Sequence, residues 1–266
     1  MKDDLELIVI DLPKEQNVLH IYAIGDVHVG SAQFDEDAIK KKIQIIHDDP
    51  YAVVCLCGDL GDFGLKNSRT NIYQATLTPQ EQVQYIRKLF DPIKDKIIAL
   101  VPGNHEERIT REVGTSVLYD LAVLWGCQDR YRENVAIIKV LFGLAAGKKQ
   151  RNVFCGIVTH GSSRNKHKRF IASFDGIDWA ISGHSHLPEY SPHGKIRVNS
   201  QASTATHVSY KELVVDAHLK PGGYGIKKEY EIPPPPELQY LELYTVRENN
   251  YNRTVHKIIN YHSIQL

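Results

Sequence analysis

Ala52-Val53-Val54-Cys55-Leu56-Cys57-Gly58-Asp59 is the stretch whose reading decides the fold. Six apolar residues run without alternation and stop at a glycine and a carboxylate. An uninterrupted apolar strand is covered on both faces, which is the habit of parallel sheets in α/β proteins. The same ending recurs in both directions. Ile21 to Ile24 stops at Gly25-Asp26, Ile97 to Val101 at Pro102-Gly103-Asn104, Val153 to Thr159 at His160-Gly161, and Trp179 to Ser182 at Gly183-His184. Helical patterns lie between them. Asp35 to His47 places Ile39, Ile43 and Ile46 on one face, Thr78-Pro79-Gln80-Glu81 opens a capped helix, and Val117 to Leu124 and Lys166 to Phe174 read as further helices. Val135 to Phe142 adds a strand, with a polar loop over 147–152 after it, and Lys195 to Asn199 opens a β-rich section. The alternation predicts an α/β fold with buried, largely parallel sheet.

The last third reads differently. Pro221 to Gly225 is a loop or tight turn, and Pro233 to Pro236 is an extended, stiff run. Leu238 to Val246 and Thr254 to Tyr261 form a terminal hairpin around the polar stretch Arg247 to Arg253. About 30 residues bury too little to stand alone, so residues 1–266 are read as one domain, with 233–266 packed on the main fold.

Composition sets bounds. The chain has 266 residues, 42% of them hydrophobic, and its 32 basic and 32 acidic residues give a formal charge of zero. A nonspecific nucleic-acid binder carries a basic excess, so whole-chain charge argues against that role, while a local patch stays open. Cys55 and Cys57 read as small core residues, and the four cysteines include no C-x-x-C pair. The N-terminus lacks an apolar segment and no run reaches membrane-spanning length, so the expectation is a cytoplasmic protein with no membrane partner.

The strand ends carry the chemistry. Asp26, His28, Asp59, Asn104, His160, His184 and His186 offer oxygen or imidazole nitrogen and no thiolate. Seven such donors converging would hold two ions about 3.5–4 Å apart, as in two-metal hydrolytic sites. Asp26-Val27-His28 and His184-Ser185-His186 put paired side chains on one side if the backbone is extended. Taken singly, Asp26, Asp59 and Asn104 are also what turns and helix caps use. With four histidines beside them the metal reading is preferred.

These segments resemble the calcineurin-like metallophosphoesterase family, whose pattern is D-x-H, G-D-x-x-D, G-N-H-[DE], a histidine, then G-H-x-H. Here it reads Asp26-Val27-His28, Gly58-Asp59-Leu60-Gly61-Asp62, Gly103-Asn104-His105-Glu106, His160 and Gly183-His184-Ser185-His186, complete and in order. The resemblance implies a metallophosphoesterase-type sandwich of two mixed β-sheets flanked by helices, with a dinuclear metal site at strand C-terminal ends. It implies that Asp26, His28 and His186 hold one divalent ion and Asn104, His160 and His184 the other, with Asp59 between. A hydroxide bridging the ions would attack phosphorus, His105 would protonate the leaving oxygen, and Asp62 would orient and charge His105. Mn²⁺ is the preferred ion; Fe and Zn²⁺ accept the same ligands.

One position departs from the serine/threonine phosphatase branch, where an arginine follows the second motif; here it is Phe63. A phosphodiesterase acting on nucleic acid or a nucleotide is therefore preferred as the function. A small-molecule phosphomonoesterase is the alternative, and a non-catalytic scaffold of the same fold is the third reading. Other features keep two readings each. Arg164 to Arg169 is a solvated helix start or a basic rim for a polyanion. Arg108 and Arg111 touch phosphate or pair with Glu107 and Glu112. Glu106 tethers its loop or does little, and Tyr224 stacks on a base or sits in a turn. Lys40-Lys41-Lys42 reads as a solvated face, Trp125 and Trp179 as core, and the remaining histidines mostly as surface or satisfied groups.

Overall fold

A computed structural model describes residues 3–66, 68, 72–145, 150–162, 164–227, 229, 231–248 and 255–266, without the side chains of 164, 165, 224 and 225. In chain order the elements are β1 (Ile8–Asp11), β2 (Leu19–Ile24), α1 (Glu36–Asp48), β3 (Ala52–Leu56), α2 (Pro79–Phe90), β4 (Ile97–Leu100), α3 (Asn104–Val113) and α4 (Val117–Leu124). They continue with β5 (Val135–Phe142), β6 (Asn152–Thr159), α5 (Arg164–Ala172), β7 (Trp179–Ser182), β8 (Glu189–Asn199), β9 (Thr204–Val214), α6 (Gly223–Lys227), β10 (Glu237–Arg247) and β11 (Val255–Gln265).

The strands form two mixed sheets. One has the order β1-β5-β6-β7-β9-β8, the other β11-β10-β2-β3-β4. Strands β2, β3 and β4 are mutually parallel, as are β6, β7 and β9, so five strand ends (β2, β3, β4, β6 and β7) deliver their loops to one end of the sandwich.

The apolar runs are uninterrupted because each face meets a different core. Ile21, Ala23, Val53 and Cys55 pack between the sheets with Val140, Phe154, Val158 and Ile181. Their neighbours Tyr22, Ile24, Val54 and Leu56 turn the other way, onto Ile39, Ile43 and Ile46 of α1, Ile86 and Phe90 of α2, and Leu118 and Leu121 of α4. On the far side, Ile171 of α5 packs on Ile157, Ala180 and Tyr210. The period of two is hidden in the sequence only because both faces are apolar. The expected Thr78 capping box is present: Glu81 N–H donates to Thr78 Oγ1 (3.4 Å) and Thr78 N–H to Glu81 Oε2 (2.8 Å).

Several expectations need correction. Strand β1, whose burial alternates, pairs parallel with β5 and was not anticipated. Strand β8 starts at Glu189, ahead of Lys195, although it contains Pro192 and Gly194; it is an edge strand, where a missing N–H costs no ladder bond. The segment after Gly103 is helix α3, and part of Pro221 to Gly225 belongs to the single turn α6. Lys42 is not solvated: it is buried and bonds both Asp216 carboxylate oxygens, at 2.7 and 2.9 Å. The terminal hairpin joins the main fold by extending a sheet, β10 pairing antiparallel with β2, with Leu241 and Leu243 in the core between the sheets. Residues 146–149 and 249–254, in the two polar connections, lie outside the described residues.

Candidate metal centre

Asp26 and His28 follow β2, Asp59 follows β3, and Asn104 and His105 open α3 directly after β4. All come from the five-stranded sheet. His160 follows β6, and His184 and His186 follow β7, on the six-stranded sheet. The two sets meet. His28 Nε2 lies 3.1 Å from His186 Nε2, and both rings face Asp26 Oδ1, at 4.0 and 3.6 Å. Asn104 Oδ1 lies 2.9 Å from His184 Nδ1 and 3.2 Å from His160 Nε2, which is itself 3.3 Å from Asp59 Oδ2. Three overlapping groups result: Asp26, His28 and His186; His28, Asp59 and His105; Asp59, His160 and His184.

The backbone reaches this arrangement differently from the extended geometry expected for the D-x-H and H-x-H pairs. Asp26, His28, Asp59, His184 and His186 have φ of 49, 53, 52, 71 and 59°. They are five of the eight non-glycine residues with positive φ among the described residues. Such conformations cost about 1–3 kcal/mol each and gather where function requires them. The paired side chains share a side because alternate residues are left-handed, outside the strands.

Backbone hydrogen bonds hold the loops in that state. Val27 and His28 N–H donate to Asp59 O (2.8 and 3.0 Å), and His184 N–H donates to Asp26 Oδ2 (2.7 Å). Glu106, buried at the third position of α3, accepts from Gly103 and Asp59 N–H (2.8 Å each), Leu60 N–H (2.7 Å) and Gly61 N–H (3.3 Å). Tethering is therefore its role. The turn packs so closely that a Cβ on Gly103 would lie 2.1 Å from Asp59 Oδ1.

The donors suit a cation. Asp26 Oδ1 is buried with no hydrogen-bond partner among the described residues, and imidazole nitrogens face one another across the centre. His160 Nδ1 donates to Cys57 O (2.7 Å), which leaves Nε2 turned inward. Burial holds His28 and His184 below the usual histidine range and brings His186 to about 4, so these rings are neutral and ready to ligate. Burial pushes Asp26 up to about 8, with Asp59 adding to the shift against His160. His160 rises to about 10 because the Asp59 carboxylate outweighs the effect of burial.

His105 Nδ1 donates to the Asp62 carbonyl (2.7 Å), while the Asp62 carboxylate is 3.5 Å away. The same carboxylate is 3.9 Å from His28 Nδ1. Asp62 thus approaches His105 first through its backbone. Burial opposes charge on His105, but the contact with Asp62 and the Asp59 carboxylate raise it above its ordinary range.

These groups line one side of a cavity of about 590 Å³, a size typical of ligand sites. Its other wall includes Leu187, Leu219, Ile226, Ile232 and Pro233, and its cations are Arg108 and Lys220. The α5 segment does not line it among the described residues. His167 of α5 is buried, and Lys168 pairs with Glu189 at 2.8 Å. The side chains of Arg164, Asn165 and Tyr224, offered above for phosphate or base contact, lie outside the described ones. Phe63 is buried in the core that faces the helices and supplies nothing to the cavity.

Some neighbours escaped the sequence reading. Behind the centre, His193 Nε2 contacts Glu212 Oε2 at 2.6 Å, and His167 Nε2 lies 3.6 Å from Glu212 Oε1. Asp216-Ala217-His218 repeats the D-x-H spacing after β9, a signal that was there to find. It is a support: Asp216 holds Lys42, and the His218 N–H donates to Asp26 O (2.9 Å).

The profile of the calcineurin-like phosphoesterase family matches residues 19–188, from the start of β2 to just beyond His186. No curated protein matches the chain. Among solved structures, the chain is similar to wild-type Vps29 complexed with zinc from Entamoeba histolytica, with 12% identity and a TM-score of 0.40 over 92% of this chain and 98% of that one. It is also similar to Chaetomium thermophilum Vps29, with 9% identity and a TM-score of 0.40 over 93% and 97%. The family profile spans well over half of the sequence and all five ligand-bearing segments, and the chain belongs to the calcineurin-like phosphoesterase family.

Proposed function

We propose that the protein is a metal-dependent phosphoester hydrolase with a preference for phosphodiesters. The observation that carries the reading is the meeting of seven oxygen and imidazole donors from two sheets around buried, partnerless Asp26 Oδ1, on the wall of a cavity. Asp26, His28 and His186 would hold one divalent ion, and Asn104, His160 and His184 a second, with Asp59 between. Mn²⁺ is the preferred ion, and the oxygen and imidazole set equally accepts Fe or Zn²⁺. When bound, such ions lower the pKa of water and draw charge from phosphoryl oxygens.

The chain's own residues do the rest. The Asp62 carbonyl fixes the His105 ring with Nδ1 protonated, so Nε2 is the atom that would carry a proton to the leaving oxygen. Glu106 and the left-handed turns keep the donors at fixed positions, so little reorganisation accompanies the reaction. Preference for a diester is supported by Phe63 in place of an arginine and by the apolar wall opposite the donors, which has room for a second ester group. A nucleotide or nucleic-acid strand fits that chemistry, with phosphate at the donors and base against the wall.

The test is hydrolysis of bis-p-nitrophenyl phosphate and p-nitrophenyl phosphate side by side, with Mn²⁺ and then with chelator. Chelator-sensitive cleavage, faster on the diester, is the expected result. Faster monoester cleavage would replace the diesterase reading with a phosphomonoesterase. No turnover of either ester would sink the hydrolase reading.

A further inference from the structure

Arg108 carries a charged donor, Nη1, that none of the described residues uses. It lies on α3 four residues after Asn104 and three after His105, so all three side chains share one helix face. Its Nη2 is 3.0 Å from His105 Nε2. When the His105 ring is neutral, with Nδ1 donating to Asp62 O, Nε2 has a lone pair to offer, and a guanidinium can only donate. In that state the contact is a hydrogen bond, and Arg108 stands on the cavity wall. Nη1 is buried and has no partner among the described residues.

The neighbouring carboxylates are engaged. Glu106 is filled by four backbone N–H groups, and Asp59 by His160 and the His105 N–H. Among the described residues no carboxylate pairs with Arg108. Arg111, one turn fewer than a full heptad away on the same helix, shows the contrast: it is exposed and bonds Glu107 at 2.7 Å. A buried charged donor without an acceptor is rare in folded proteins unless a ligand completes it. The ligand that fits a guanidinium fork beside a cluster of cation-ready donors is a phosphoryl group, with two oxygens in one plane.

We propose that Arg108 grips a non-bridging oxygen of the substrate phosphoryl group from α3. The proposal rests on the hydrolase reading for its substrate, but phosphate binding tests it separately. To grip the oxygen, the guanidinium turns from His105 Nε2 toward the phosphoryl group, which uncovers the buried Nη1 and frees Nε2 to carry the proton, so the phosphorus is placed with its leaving oxygen toward that ring.

The probe is inorganic phosphate, titrated calorimetrically into the Mn²⁺-loaded protein, with KM for the nitrophenyl esters measured alongside. Arg108→Ala and Arg108→Gln should weaken phosphate binding roughly 10- to 100-fold, the scale of a lost hydrogen bond to a charged group, and raise KM in proportion. Metal content should not change. Arg108→Lys, which keeps charge but not the fork, should fall between. An unchanged unfolding midpoint and unchanged metal content in the Gln variant would separate a lost anion contact from a lost structural one. Phosphate affinity and KM within twofold of wild type in both Ala and Gln variants would overturn the assignment, as would a wild type that binds no phosphate. A wild type that binds phosphate through Arg108 yet hydrolyses neither ester would remove the hydrolase reading and leave the anion site standing.

Discussion

Replacing Glu106 by Gln isolates what fastens the Asp59 turn to α3. The carboxylate accepts from Gly103 and Asp59 through Oε2 and from Leu60 and Gly61 through Oε1. Glutamine has the same shape, but one oxygen becomes an NH₂ group. Whichever way the amide turns, two backbone N–H groups then face a donor. Each buried donor left unsatisfied costs about 1–3 kcal/mol, so the pair costs about 2–6 kcal/mol. Part of this is offset, because burial and the nearby Asp59 disfavour the Glu106 charge that the variant removes. The net expectation is a loss of about 2–4 kcal/mol. Urea unfolding of the metal-free wild type and variant, compared through their midpoints at a common slope, measures it. Glu106→Asp, which keeps the charge but is one methylene short of the turn, should also destabilise. A change below about 0.5 kcal/mol in Glu106→Gln, the level of an ordinary surface substitution, would refute the tethering argument.

Three further outcomes follow from the same geometry. Mn²⁺ must displace the protons that Asp26 (about 8) and His160 (about 10) hold at pH 7, so affinity should climb with pH and about two protons should leave per loaded centre; calorimetry in two buffers of different ionisation enthalpy counts them, and zero release would contradict the assigned protonation. Gly103→Ala drives a methyl group into Asp59 Oδ1, so the folded variant should lose at least one equivalent of tightly bound metal, read by elemental analysis after gel filtration; full retention would show that the turn can move aside. Lys42→Met leaves the Asp216 carboxylate buried with only the Glu237 N–H (3.0 Å), at a cost of about 3–5 kcal/mol; adding Asp216→Leu should recover most of it, and equal denaturation midpoints for wild type and Lys42→Met would dismiss the pair as a contributor.

The parts of the fold legible in sequence were those with a one-dimensional signature. Buried parallel strands announce themselves as apolar runs, and the residues that end them stand out because Gly-Asp, Gly-Asn and Gly-His interrupt such runs abruptly. That was enough to name the residues the structure gathers around Asp59. The conformation that gathers them was not legible: an extended D-x-H and a left-handed one have the same letters, and only hydrogen bonds to Asp59 O and Asp26 Oδ2 select the second. Glu106 keeps two readings, and Lys42 is misread, for a related reason. Their roles are set by partners 45–47 and 174 positions away, which no local pattern encodes. Strand β8 was cut short because Pro192 and Gly194 are breakers anywhere except at a sheet edge, and edge position is a property of the finished sheet.

The division of the donors between the two sheets gives the centre a place in the order of assembly. His28 and His186 are 158 positions apart and belong to different layers, so neither layer can form the site alone. A ribosome must have released the chain well past His186 before a complete set of donors exists, and the layers must already have docked. Metal capture would thus be a late checkpoint in biogenesis, and an ion held there would act as a rivet between layers, closing a loop whose entropy the apo protein has to hold shut by packing alone. Slow exchange of inter-sheet amides on metal loading, with surface helices unaffected, would be the mark of that rivet.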